Sequence, residues 1–313
     1  MLTVFNSTLT PMLLMFICIL IGYILKKRNI LPDNSDVTLS KLETCVFLPA
    51  LNISTFMNNC TIESLVKYRS YVIISVAVIL VAILISYPLS KMFSKEDYQR
   101  NIYKYALTFG NFGFLGNAIV PIIMGEEYLY PYLLFTMFPT MFCYIWGLNI
   151  LIPKGENKSN PFKNLLNPSV MSIAIGIVLG LTGARNIVPQ FIKLTLSNLT
   201  ACMGPVAMIL TGFVVAKYSF TFLLKKPPVY FTSLFRLVII PFVFLTTLIL
   251  LKVDGVIIKL AFFMLATPLG LNTVVFPSAY GGDASTGASM ALISHTFSII
   301  TFPLMYAILS IVV

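Results

Sequence analysis

Thr267-Pro268-Leu269-Gly270-Leu271-Asn272-Thr273-Val274-Val275-Phe276-Pro277-Ser278-Ala279-Tyr280-Gly281-Gly282-Asp283 is an apolar stretch close to the length of a bilayer span, interrupted by two prolines, a glycine and an asparagine. A continuous helix does not fit it. Pro268 and Pro277 each lack a backbone donor and clash with the preceding turn, and Asn272 brings an amide that hydrocarbon cannot solvate. In a membrane, irregular backbone is tolerated only where it is buried in protein or lines a wet cavity, so the break marks a site.

The device occurs once more, in Gly110-Asn111-Phe112-Gly113-Phe114-Leu115-Gly116-Asn117-Ala118-Ile119-Val120-Pro121, which runs on to Gly125-Glu126. Laid over the first stretch, Asn117 falls on Asn272 at an offset of 155, and Pro121 on Pro277 and Gly125 on Gly281 at 156. An acidic residue follows in each, Glu126 and Asp283. The offset is half of the 313 residues.

Composition places both stretches in a membrane. The chain is 58% hydrophobic and 10% charged, with a mean hydropathy of +0.91, where a soluble domain would carry about a quarter charged residues. At roughly 20 apolar residues per span, ten spans are expected, near 6–25, 38–57, 71–93, 102–124, 129–152, 168–184, 192–216, 229–251, 256–280 and 287–312. The net charge of +10 forms no long patch, which argues against nucleic acid as a partner. It follows the positive-inside rule instead: 13 Lys and Arg fall in loops on one side and 6 on the other, so both termini are expected on the extracytoplasmic side of the cell membrane. Lys26-Lys27-Arg28 follow the first span and no charge precedes it, the reverse of a cleavable signal, so that span is expected to be retained. The five cysteines show neither a disulfide framework nor a zinc spacing.

The halves match elsewhere too. Leu9-x-Pro11 with Arg28-Asn29-Ile30 corresponds to Leu166-x-Pro168 with Arg185-Asn186-Ile187, and Leu39-Ser40-x-Leu42-x-x-Cys45 to Leu196-Ser197-x-Leu199-x-x-Cys202, both at an offset of 157. This predicts two five-span repeats, 1–152 and 168–313, joined by a hydrophilic linker over 153–167. Five is odd, so the second repeat enters from the opposite side and the two are inverted, an arrangement in which secondary transporters build a site at the bilayer midplane.

These residues resemble the auxin efflux carrier family of bacterial and plant carriers, which includes permeases for malate and malonate. The likeness covers nearly the whole chain. It rests on Gly22-Tyr23-Ile24-Leu25 with Leu42-x4-Phe47-Leu48-Pro49-Ala50-Leu51, on Phe109-Gly110-Asn111-Phe112-Gly113-Phe114-Leu115-Gly116, and on Pro268-x3-Asn272-x7-Tyr280-Gly281-Gly282-Asp283. The resemblance implies an all-α fold of ten transmembrane helices in which the fourth and ninth unwind and cross, a rigid scaffold beside a moving transport domain, and organic anions as cargo. It also implies that Asn52, after Pro49, contacts cargo. One departure is visible: the family's crossover proline usually comes seven residues after the asparagine matching Asn111, where this chain has Ala118, with Pro121 three further on.

On physical grounds each broken span supplies a half-helix whose amino terminus, with unpaired N–H groups and about half a positive charge, suits a carboxylate. Asn117 and Asn272 are expected to cap those half-helices, with Pro121 and Pro277 early in them. The expected site thus comprises Asn52, Asn111, Asn117, Asn272 and Thr273, with Gly116, Pro121, Pro268 and Pro277 at the crossover. The alternative is that the prolines only kink packed helices and the asparagines only join them. No lysine or arginine is expected near the crossover; Lys41 and Arg236 are read as snorkelling to the surface.

Glu43 and His295, rare ionisable groups within spans, are candidates to carry a coupling proton or cation. His295 is otherwise a neutral ring satisfied by Ser294 or Ser298. Walker, HExxH, GxSxG and paired-carboxylate patterns are absent, so no enzyme, cofactor or metal site is expected. The expected partners are a small organic anion and the lipid bilayer, and a homodimer is one assembly open to the chain. Two other classes share such folds: a cation/proton antiporter, which wants aspartates at the crossing, and a receptor or channel that does not cycle.

Overall fold

The structure, a computed structural model, describes residues 1–153, 161–279 and 282–313. Residues 154–160 of the expected linker, including Asn157, and the Tyr280-Gly281 part of the second motif lie outside the described residues.

Twelve helices carry the fold among the described residues. They are α1 (Leu2–Lys27), α2 (Ser35–Leu42 continuing through a π turn, Glu43–Phe47, into Leu48–Asn59), α3 (Arg69–Ser90), α4 (Asp97–Thr108), α5 (Phe112–Met124) and α6 (Glu126–Leu151). The rest are α7 (Pro168–Leu181), α8 (Gln190–Ala216), α9 (Pro227–Leu250), α10 (Gly255–Leu265), α11 (Asn272–Ala279) and α12 (Ser285–Val312). Six of them, α1, α3, α6, α8, α9 and α12, are long and apolar enough to cross a membrane, and α5, α7 and α10 are shorter apolar helices. Leu84, Phe191 and Phe242 remain more than 60% exposed, surface that suits lipid and not water. The chain is an all-α membrane protein.

Local chemistry explains the ends and the irregular turns. The Asn167 side chain accepts from Val170 N–H while Pro168 takes the first helical position of α7, and Asp254 accepts from Val256 and Ile257 at the start of α10. The π turns Glu43–Phe47 and Phe235–Ile239 lie just ahead of Pro49 and Pro241, which have no N–H to close the ordinary ladder.

Packing follows two close pairs, α1 along α8 and α7 along α2. Gly22 faces the Ile209 carbonyl and Gly212 the Ile19 carbonyl, with no room for a Cβ at either, so α1 and α8 approach backbone to backbone. The largest core is aromatic: Tyr105, Phe109, Phe135, Phe262, Phe263 and Phe302 are buried together, with the Phe262 and Phe302 rings 4.7 Å apart between centroids. This core surrounds the two helix breaks and holds irregular backbone away from lipid.

Pro268 lies in the second break, but both breaks fall earlier than Pro121 and Pro277 suggested. The chain leaves helical geometry over 109–111 and 266–271, whereas Pro121 lies well inside α5 and Pro277 is the sixth of eight residues in α11. Asn117 is likewise no cap: α5 begins five residues before it, and the Asn117 amide donates back to Gly113 O at 2.7 Å. The first N–H to bond within that helix is Leu115, to Asn111 O at 2.9 Å, which places Asn111 at the N-cap. Asn272 does open α11, but its side chain turns away from its own helix to Tyr105.

Candidate functional site

The two breaks touch. Gly110 and Leu269 form an isolated antiparallel bridge, in which Asn111 N–H donates to Pro268 O at 2.7 Å. Leu269 N–H is taken by Ser294 Oγ at 3.0 Å. Pro268 is tolerated because it only has to accept. Gly270 lies over Gly110, and a Cβ there would stand 3.1 Å from the Gly110 carbonyl oxygen. Irregular backbone is therefore satisfied within the protein, as a membrane interior requires.

Behind the bridge lies Arg236. It does not snorkel: it is 1% exposed, and its Nη1 and Nη2 donate to Thr108 O at 3.2 Å and Met264 O at 2.9 Å. Those carbonyls belong to the last turns of α4 and α10, which lose their helical partners where the helices stop. The guanidinium fork replaces the lost donors at the ends of both helices at once. The expectation that no cation stands at the crossing is thus overturned. An arginine on a neighbouring span is invisible to any reading confined to the broken segments themselves.

In front of the bridge lies a cavity of about 70 Å³. Asn52 of α2, Asn111 and Asn117 at the start of α5, and Asn272 at the start of α11 all line it, as do Tyr105, Cys143 and Tyr144. Its size suits a small molecule and not a peptide. Among the described residues lining it none is acidic or basic. Phe112, Gly113 and Phe114 also face it, and their N–H groups precede the first intrahelical bond of α5.

The asparagine amides are mostly engaged by the protein. Asn272 Nδ2 donates to Tyr105 Oη at 2.8 Å and to Cys143 Sγ at 3.5 Å, and Asn52 Nδ2 donates to Ser169 O and Ser172 Oγ, both at 3.0 Å. The buried side-chain oxygens of Asn111 and Asn117 have no partner. Both orientations are enforced, since Asn117 must point its nitrogen at the Gly113 carbonyl, and Asn111 Nδ2 lies 3.3 Å from His295 Nε2. Thr273 lies behind the cavity wall: it is fully buried and its hydroxyl donates to Gly270 O at 3.0 Å. Gly116 is set against the Tyr132 hydroxyl, which donates to Phe112 O at 3.1 Å and leaves no space for a larger residue.

The two candidate coupling groups sit differently. His295 touches the site through Asn111, and its Nδ1 is 2.8 Å from Ala291 O. Its expected partners are occupied otherwise, for Ser294 takes Leu269 N–H and Ser298 donates to the His295 carbonyl. Glu43 is fully buried with both oxygens unpaired, on the π turn of α2 and outside the cavity wall. Tyr105, Cys143 and Tyr144 are among the wall residues that the sequence expectations did not include. Tyr105 lies in α4, ahead of the first break, and Cys143 and Tyr144 in α6, and single polar groups among apolar ones give no periodic signal.

Two wider clefts lead off the cavity. One of about 340 Å³ shares Phe114, Tyr144, Leu271 and Asn272 with it and ends near Asp36 and Lys41. The other, about 380 Å³, shares Asn117 and ends near Glu126.

A polytopic helical protein with touching helix breaks around a small polar cavity belongs to the class of membrane transport proteins. The chain is a member of the Mem_trans family of membrane transport proteins, the auxin efflux carrier-like group, whose model matches residues 7–160 and 156–306. It is similar to the uncharacterized transporter MJ1031 of Methanocaldococcus jannaschii, 24% identical over 297 residues that cover 93% of this chain and 96% of that protein. The uncharacterized transporter C5D6.04 of Schizosaccharomyces pombe is 34% identical over 103 residues, 32% of this chain and 22% of that protein. Family and relatives are named for transport and not for catalysis.

Proposed function

We propose that the chain is a secondary carrier that moves a small organic anion, a carboxylate, across the cell membrane by alternating access around the touching helix breaks. The observation that carries this reading is the cavity itself: no carboxylate lines it among the described residues, a helix amino terminus faces it, and a cation lies behind it. A cation/proton antiporter would hold its ion on an acid at the crossing, and the buried acid of α2, Glu43, is not part of the wall.

We read the architecture as ten spans in two inverted repeats over 1–152 and 168–313 with a linker over 153–167, and one feature of the packing supports this reading. Spans one and two pair with spans seven and six, α1 on α8 and α2 on α7, as a two-fold relation between the repeats requires. Counting crossings along the chain puts the cleft at Asp36 and the cleft at Glu126 on opposite sides, which is what alternating access needs. The excess of Lys and Arg in the loops on the Asp36 side supports placing both termini outward. Labelling by an impermeant reagent in intact cells of a cysteine placed at Asn157 would reverse that orientation.

The test of cargo class is a thermal-shift screen of the purified protein against mono- and dicarboxylates and their neutral amides, followed by counterflow in proteoliposomes. A ligand that binds only the folded state raises its apparent stability. Stabilisation by acids and not by amides, with uptake accelerated by cargo on the far side, is expected. Uptake without such acceleration would mark a channel, and stabilisation by cations alone the antiporter.

A further inference from the structure

Four helix ends meet at the breaks, not two. α5 and α11 present amino-terminal, positive ends, and α4 and α10 present carboxy-terminal, negative ends to the same small volume. At about half a charge each, the four nearly cancel. Dipoles alone therefore give this crossing little net preference for an anion over a cation.

Arg236 breaks the tie. Its two bonds go to Thr108, the last residue of α4, and Met264, one residue before the end of α10, so the fixed charge lies on the two negative ends. Among the described residues it forms no ion pair, and its Nε is buried without a partner. A cation that nothing neutralises locally, packed against Gly110 at the edge of the cavity, projects its field through one layer of backbone. We infer that Arg236 is the specificity-determining charge of this site: by covering the ends of α4 and α10 it leaves α5 and α11 unopposed and makes the cavity select anions. It acts across the bridge without touching cargo, as a positioning residue that sets the sign of the potential. The inference rests on the organic-anion reading above.

The experiment compares the full-length parent, R236K and R236Q, each checked by monodisperse chromatography. The probes are acetate, malonate and succinate with their uncharged amides, and the readout is the ratio of amide to acid dissociation constants. The parent is expected to favour the acids. R236Q should lower that ratio on the order of tenfold, the effect of one charge across several ångströms of intermediate polarity, while amide binding stays near the parent's. R236K, which keeps the charge and loses the fork, should retain the preference, and this supports the inference even where R236Q cannot be purified.

A folded R236Q with an unchanged ratio overturns the inference and leaves the organic-anion reading standing. Failure of both variants to fold overturns it too, because the fork's hydrogen bonds would then be the requirement and not the charge. A parent that binds none of the acids, or binds acid and amide alike, counts against the organic-anion reading itself.

Discussion

The Asn111 amide nitrogen lies 3.3 Å from Nε2 of His295, and this contact fixes how both side chains face. His295 Nδ1 is 2.8 Å from the Ala291 carbonyl, so Nδ1 carries the hydrogen and Nε2 accepts from Asn111. The Asn111 oxygen is thereby turned away, buried and unpaired, on a residue that lines the cavity. In this tautomer the imidazole serves to orient Asn111. Met12, Met15, Leu115 and Met208, beside it, bring no charge to alter that.

His295→Gln should therefore keep the pH profile of uptake, and His295→Ala should weaken cargo binding about fivefold, the equivalent of one hydrogen bond near 1 kcal/mol. If transport is proton-linked, Glu43→Gln should change the profile instead, because Glu43 is a buried acid whose oxygens nothing in the packing holds. Uptake into proteoliposomes across a pH series decides between them. A flattened profile in His295→Gln with an unchanged one in Glu43→Gln would reverse the assignment.

Gly113 faces open space: a Cβ built on it meets no atom within 4 Å, and the residue lines the cavity beside the first N–H groups of α5. Gly113→Ala should fold and gain a few tenths of a kcal/mol of helix propensity. Its methyl would project into the room for cargo. The expected result is a thermal midpoint at or above the parent's with a shift in preference toward smaller acids. An unchanged rank order of acids would show that cargo does not approach this end of α5.

Asp283 closes the most specific motif, yet the structure gives it a tying role. Its carboxylate accepts from Ser285 N–H at 2.8 Å, Ser285 Oγ at 2.9 Å and Gln99 Nε2 at 3.2 Å, while Lys226 Nζ donates to Ser285 Oγ at 2.8 Å. Burial pushes its carboxyl up, but the Ser285 hydrogen bonds and the Lys226 charge outweigh this and hold it below the usual carboxylate range. A depressed folded pKa gives stability that is present above the unfolded value, near 3.9, and lost as pH falls through the folded one. Asp283→Asn should cost about 1 kcal/mol at pH 7, allowing for its partial exposure. Thermal midpoints of parent and variant should converge as pH falls below the usual carboxylate range and through the lowered folded pKa. A gap that stays constant down to the lowest pH at which the parent remains folded would show that the charge is not what ties α12 down.

Much of the fold was legible because membrane physics writes it in runs of apolar residues, and the two breaks were legible because proline, glycine and asparagine are costly there. Their boundaries were not. A proline shows that a helix is perturbed, but Pro121 and Pro277 sit inside helices whose neighbours hold them, while the true breaks at 109–111 and 266–271 are set by the bridge between Gly110 and Leu269. Four asparagines were read as wall residues from their type and place, and they do converge on one cavity. Their orientation was hidden, because it depends on Tyr105, Cys143, His295 and Ser169, partners that only the folded chain brings near. Arg236 was misread for the same reason: its partners are backbone carbonyls on two other helices.

Asn272 is the sharpest single test of the crossing. Its amide hydrogens reach Tyr105 Oη and Cys143 Sγ, which are themselves 2.9 Å apart and keep each other company if the amide is removed. Asn272→Ala should accordingly lower stability by about 1 kcal/mol and weaken anion binding only severalfold. Asn272→Asp barely changes volume and can accept from the Tyr105 hydroxyl, so it should also fold. It places a negative charge on the cavity wall, where in a medium of intermediate polarity two like charges a few ångströms apart repel by several kcal/mol, a loss of more than a hundredfold in affinity. Ligand affinity and uptake of the two variants, each shown to be monodisperse, are the measurements. An Asn272→Asp protein that folds and carries an organic anion as well as the parent would place the cargo elsewhere, and the cavity at the helix breaks would not be the transport site.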